Sequence, residues 1–138
     1  DPASSIWLRE LFAVLYEDEP RVTVDLSPDP YYHYEFGDTS LFFHHGHNKK
    51  AGNIDDVFVA KFREAYGQTK YSYAHIGHLH HKHTIEGNLM VVEQHRTLAS
   101  PDAYATRGGW MSGRSADLIT YHKDFGEIGR LTIPPEMV

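Results

Sequence analysis

Apolar residues recur at helical spacing along the first stretch of the chain, where Ile6, Leu8, Leu11, Phe12, Val14 and Leu15 form one face that runs out between Glu17 and Pro20. Asp1 followed by Pro2 reads as an N-cap and a first helical position for that segment. The period then changes. Residues 22–26 alternate like a short strand, and Ser27-Pro28-Asp29-Pro30 is a turn. Residues 31–36 and 40–45 predict two strands joined through Gly37-Asp38, a strong hairpin signal. After a polar loop over 48–53, the mixed wet and apolar pattern of 54–66, with Val57, Phe58, Ala60 and Phe62, predicts a second helix.

Beyond Gly67, residues 73–76 read as a strand feeding directly into Gly77-His78. Residues 84–86 and 89–93 predict a hairpin across Gly87-Asn88, 97–114 a long loop rich in Ser, Gly, Arg and Tyr, and 117–122 with 130–133 a last hairpin. Helix, strands, helix, strands is the order of an α/β layered sandwich with a mixed sheet, in one domain over 1–138. The pattern reads as part of a sandwich more than as a closed unit.

Bulk properties narrow the function classes. A chain of 138 residues, 41% of them apolar, can build one modest core. A net charge of −6 and a pI near 6.0 argue against broad electrostatic binding to nucleic acid. The absence of cysteine excludes disulfides and thiolate metal sites and suits a reducing, cytoplasmic setting. No apolar run is long enough to span a bilayer, so no membrane partner is expected. Residue 1 is Asp rather than Met, and the expectation is a chain cut from something longer.

The chemistry lies in the histidines. Eleven occur, most of them in two clusters, Phe42-Phe43-His44-His45-Gly46-His47 and Gly77-His78-Leu79-His80-His81-Lys82-His83. Neutral imidazole is the commonest protein ligand for borderline transition metals, and alternate histidines on an extended segment share a side. Each cluster has a glycine beside a histidine and follows a strand-like run, so both imidazole sets fall at strand ends.

In that arrangement the chain resembles the calcineurin-like metallophosphoesterases, especially bacterial and phage members that act as phosphoesterases or DNA-repair exonucleases. The family carries five ordered motifs, Asp-x-His, Gly-Asp, Gly-Asn-His-Asp, a strand-terminated His-Gly, and Gly-His-x-His. Gly77-His78-Leu79-His80 matches the fifth and His45-Gly46-His47 the fourth, while Asp1 ahead of its helix looks like the last residue of the third. The first two motifs are absent, so the resemblance covers the C-terminal half of a family domain. The loop running from Leu98 through Gly108-Gly109-Trp110 looks like the one that follows in the phage subset.

The resemblance implies an α-β-β-α sandwich and two divalent metal ions, Mn²⁺ first, with Fe, Zn²⁺ or Ni²⁺ as alternatives, held roughly 3.5–4 Å apart and clamping a phosphate mono- or diester. Nucleic-acid phosphodiesters belong to the substrate range of the subset. His45 and His78 would bind the second metal and His80 the first, and the carboxylates would come from the N-terminal half of the domain, the partner this reading requires. Asp1 would help protonate the leaving group as well as cap its helix. His47 and Arg107 would face the substrate phosphate, with Arg114 as a further candidate, and Tyr104 and Trp110 could stack on a base.

The remaining histidines read otherwise. His44 points to the opposite strand face from His45, His81 and His83 run out of phase with the ligand pair, and His33, His75, His95 and His122 lie in strand patterns as structural residues. Two rival functions stay open: a non-catalytic metal-binding or interaction domain on the same fold, and a half-domain that needs a separate N-terminal polypeptide.

Overall fold

The computed structural model describes residues 2–100 and 112–137. Helix α1 spans Pro2–Leu15. Strands β1 (Tyr32–Phe36) and β2 (Thr39–His44) form the antiparallel hairpin that the Gly37-Asp38 signal predicts, with Gly37 at φ 60°. A single turn of 3₁₀ helix at Ala51–Asn53 leads into α2 (Asp55–Lys61) and α3 (Arg63–Gln68), which carry the chain across to β3 (Tyr71–Ile76). Then β4 (His83–Glu86) turns back into β5 (Val91–Gln94). The sheet runs in the order β1-β2-β3-β5-β4; its three central strands are mutually parallel and each edge strand is antiparallel to its neighbour. Strands β6 (Ala116–His122) and β7 (Gly126–Ile133) make a separate two-stranded sheet.

Strand alternation sorts the side chains onto two faces. Phe42, Ala74, Ile76 and Val92 turn to one side, all buried, and pack with Ile54 and Phe58 of the helical segment. The rings of Phe42 and Phe58 meet at 5.3 Å. Fully burying a side chain of this kind contributes roughly 1.5–3 kcal/mol, so this small cluster is the main anchor of the central strands. The opposite face carries Tyr73, His75 and Glu93 and is covered by the β6–β7 hairpin through polar ties. Tyr73 Oη accepts from the Glu127 amide at 2.9 Å, and Thr39 Oγ1 donates to the His122 carbonyl at 3.0 Å. The result is a mixed α/β fold, with helices and hairpin on opposite faces of a five-stranded mixed sheet.

Three expectations give way to the structure. Residues 22–26 are not a strand. Val22 N donates to the Glu19 carbonyl at 3.0 Å, and the segment runs into a series of side-chain turns: Asp25 Oδ1 accepts from Ser27 N, Ser27 Oγ from Asp29 N, and Asp29 Oδ1 from Tyr31 N. Such Asx- and Ser-type turns compete with strand pairing, and Pro28 and Pro30 have no amide hydrogen to offer. The helix expected over 54–66 is two helices broken at Phe62, whose φ of −116° and ψ of 48° are not helical. The break turns the Phe62 ring onto Phe42 at 6.0 Å and His33 at 4.4 Å.

The third concerns α1, which forms as its periodicity predicts but does not bury the predicted face. Ile6, Leu8, Leu11, Val14 and Leu15 are each more than half exposed. Its main polar tie to the rest of the chain is Arg9, whose Nη1 donates to the Ser27 carbonyl at 2.5 Å and to Tyr32 Oη at 3.0 Å. Among the described residues no helix is long and apolar enough to cross a membrane.

Candidate metal centres at the strand ends

Because β2, β3 and β5 are parallel, their C-terminal ends emerge on one edge of the sheet, the usual position for ligand sites in sheets of this kind. The ladder continues past the strands: Gly77 N donates to the His45 carbonyl at 3.1 Å, and His95 N to the Ile76 carbonyl at 2.9 Å. This brings the two histidine clusters together. Gly46, at φ 99°, allows the closest approach, since a Cβ there would lie 3.2 Å from the Gly77 carbonyl oxygen. The glycine beside the histidine is therefore a packing requirement of the strand ends.

At this edge His45 Nε2 lies 3.1 Å from His78 Nδ1. The His47 ring centroid is 5.4 Å from that of His45 and 6.4 Å from that of His78. All three side chains are exposed. Partial desolvation, and then the neighbouring His78, holds the His45 imidazole below its ordinary pKa, which favours the neutral form that binds metal. His78 and His80 are the only described non-glycine residues with positive φ, at 69° and 56°. Such conformations store roughly 1–3 kcal/mol each and concentrate at functional loops.

His80 is exposed and close enough for its charge to act on His45, yet among the described residues it makes no hydrogen bond or ring contact with His45 or His78. Asp1 and Arg107, with Tyr104 and Trp110, lie outside the described residues. Arg114 turns back to its own loop and donates to Ser100 Oγ at 3.0 Å. His81 sits against the Leu79 carbonyl at 3.2 Å, and His83 opens β4 on the surface.

His44 faces inward, as its opposite phase to His45 requires. Its ring stacks on Tyr31 at 4.4 Å, and Nδ1 accepts from Gly46 N at 2.9 Å. Burial, aided by His47 and His45, depresses its pKa, so the neutral ring carries its proton on Nε2. That Nε2 and the Arg9 Nε are the two buried side-chain nitrogens without a partner among the described residues. Both residues line a cavity of about 920 Å³ between α1 and the strand ends, with Ile6, Leu26, His45 and His47 also in its wall.

A second group lies one layer deeper. His75, Glu93 and His95 bring ligand-type atoms within 4.8 Å of one another and could hold a metal ion. His75 Nδ1 is 2.8 Å from His95 Nε2, and Tyr121 Oη is 2.8 Å from His75 Nε2. Burial and the adjacent His95 push the His75 pKa down to about 4, and burial pushes the Tyr121 hydroxyl above its ordinary range. Burial alone would raise the Glu93 carboxyl; the bidentate Arg130 guanidinium reverses that and holds it low. The pattern of the sequence places His75 and His95 as structural residues and gives no prominence to Glu93. His75 and Glu93 are register partners on adjacent parallel strands, a nonlocal pairing that periodicity along one segment does not disclose.

The chain matches no protein-family model, no curated protein and no solved structure.

Proposed function

We propose that the chain is the C-terminal half of a metal-dependent phosphoesterase domain in which His45 and His78 supply imidazoles to a divalent metal. The observation that carries this reading is the 3.1 Å apposition of two exposed imidazoles at adjacent parallel strand ends. Together they form the histidine part of a two-metal ligand set. The carboxylate part is not found beside them among the described residues, consistent with its lying in an N-terminal half. When bound, the cations would neutralise phosphate charge and lower the pKa of a coordinated water.

The chain's own residues support the substrate side of this reading. Arg9 and His44 line a cavity that also reaches His45 and His47, and the Arg9 guanidinium suits phosphate oxygens. In this reading His47, which also lines the cavity, faces the substrate phosphate. The exposed apolar face of α1 beside the same cavity favours the half-domain form of the proposal, in which a separate or preceding polypeptide covers it.

Hydrolysis of bis-p-nitrophenyl phosphate with Mn²⁺ tests the proposal. The chain alone turns over negligibly; joined to a segment carrying Asp-x-His, Gly-Asp and Gly-Asn-His it hydrolyses the diester, and His78→Ala abolishes the gain. Metal uptake at His45 and His78 without turnover in any such pairing would leave a non-catalytic metal-binding module.

A further inference from the structure

The polar face between the five-stranded sheet and the β6–β7 hairpin holds more chemistry than packing requires. Three carboxylates, Glu93, Asp117 and Glu127, meet two cations, Arg130 and Lys82. Glu93 is 4% exposed and Asp117 8%, so this surplus of negative charge lies in a poorly hydrated layer. The two imidazoles of His75 and His95 border it.

The outer nitrogens of the imidazoles face polar groups. His75 Nε2 is paired with Tyr121 Oη at 2.8 Å, and His95 Nδ1 faces Asp117 Oδ2 at 3.7 Å. Their inner nitrogens, Nδ1 of His75 and Nε2 of His95, point at each other across 2.8 Å with the Glu93 carboxylate alongside. Metal-bound histidines characteristically give their distal nitrogen to a carboxylate, hydroxyl or carbonyl that fixes ring orientation. His75 meets that description through Tyr121, and at His95 the Asp117 carboxylate lies nearby without a hydrogen bond.

We propose that His75, Glu93 and His95 form a second metal site, distinct from the His45–His78 rim, at which a divalent cation and the Arg130 guanidinium compete for the Glu93 carboxylate. Without metal, Arg130 holds Glu93 bidentately and also holds Glu127, with its Nε 3.0 Å from Glu127 Oε1. On metal entry Glu93 turns from Arg130 to the cation, and Arg130 keeps Glu127. The proton between the imidazoles moves to the outer nitrogen of His75, which then donates to Tyr121, so the two neutral rings lose no proton overall. Two nitrogens and one carboxylate oxygen suit Zn²⁺, Co²⁺ or Fe²⁺ better than Mg²⁺ or Ca²⁺. His75 and His95 also line a cavity of about 560 Å³ together with Leu41, Phe43, Leu118 and Arg96, wide enough for water or a small ligand.

The test uses Zn²⁺ calorimetry and the visible absorption of Co²⁺ on the His45→Ala/His78→Ala variant, which removes the rim pair. The variant is expected to retain one bound cation per chain. Adding His95→Gln should weaken it at least tenfold, whereas adding Arg130→Gln should tighten it several-fold by removing the competitor. A gain in affinity is a result that misfolding cannot imitate. Absence of any bound cation in the rim-deleted variant, with native circular dichroism, overturns the site; an Arg130→Gln variant that binds no tighter overturns the competition. Neither result bears on the diester assay above, and loss of diester hydrolysis leaves this site standing.

Discussion

His45 Nε2 and His78 Nδ1 lie 3.1 Å apart although 33 positions separate them in the chain. The pairing follows from parallel β2 and β3 ending in register, His44 opposite Ile76, so that the residues after each strand share an edge. If the two rings hold one cation, either His45→Ala or His78→Ala should weaken Zn²⁺ binding at this edge by more than the roughly 10–100-fold that an outer-sphere partner is worth. His83→Ala, on the exposed start of β4, should leave it unchanged. Histidine ring resonances followed during a Zn²⁺ titration separate the sites, and equal losses from His78→Ala and His83→Ala would indicate loose chelation by a histidine-rich surface.

His75 makes stability depend on pH in a defined direction. Its pKa is about 4 in the folded chain against 6.5 for an ordinary histidine, because burial and His95 disfavour its charged form. Between those values the unfolded chain binds more protons, so stability is full above about pH 6.5 and falls as the pH drops toward 4. The groups facing the ring, Glu93, His95, Tyr121, Glu127 and Arg130, are those of the hairpin interface. In urea unfolding, His75 should account for roughly 2 kcal/mol of stability lost from pH 7 to pH 5. His75→Gln should lack that part of the slope. Glu93 and Asp117, whose pKa values are lowered, add losses only below the ordinary carboxylate range. Parallel pH profiles for wild type and His75→Gln would contradict the assignment.

What the sequence discloses follows the range of the interactions. The β1–β2 hairpin is legible because Gly37-Asp38 and the flanking alternation are local signals. The rim pair is legible because each histidine adjoins its own strand end. The His75–Glu93–His95 group is not, since it depends on which strands become neighbours and on a hairpin more than twenty residues downstream covering the face. Residues 22–26 mislead for the opposite reason: alternation is present, but Val22 is held in a turn by the Glu19 carbonyl, side-chain turns around Pro28 and Pro30 follow directly, and among the described residues no strand pairs with the segment.

Gly126 fixes the hairpin against the sheet. Its φ is +71°, and a Cβ there would run into Tyr73 Oη and come within 3.1 Å of Tyr71 Cβ. A left-handed conformation alone costs a non-glycine residue roughly 1–2 kcal/mol, and the clash adds to it. Gly126→Ala should therefore lower stability by about 2–4 kcal/mol and speed hydrogen exchange at the Glu127 amide, which donates to Tyr73. Gly129→Ala is the matched control, since a Cβ there meets nothing within 4 Å. Equal effects of the two substitutions on the melting temperature would mean that the hairpin is not anchored through Gly126.

The helical periodicity of α1 and that of the α2 segment look alike in sequence, but their energetic weights differ. Phe58 is fully buried against Phe42, Tyr31 and Phe62, whereas Leu11 on α1 is 60% exposed. Phe58→Ala removes a ring from a packed cluster and should cost roughly 3–5 kcal/mol, enough to unfold much of a domain this small. Leu11→Ala deletes a side chain already in water at a helical site where alanine is favourable, so the change should stay within about 0.5 kcal/mol. Denaturant unfolding of the chain by itself makes the comparison. A loss from Leu11→Ala that approached the loss from Phe58→Ala would show that α1 packs onto the sheet in solution and that its apolar face is not free to receive a partner.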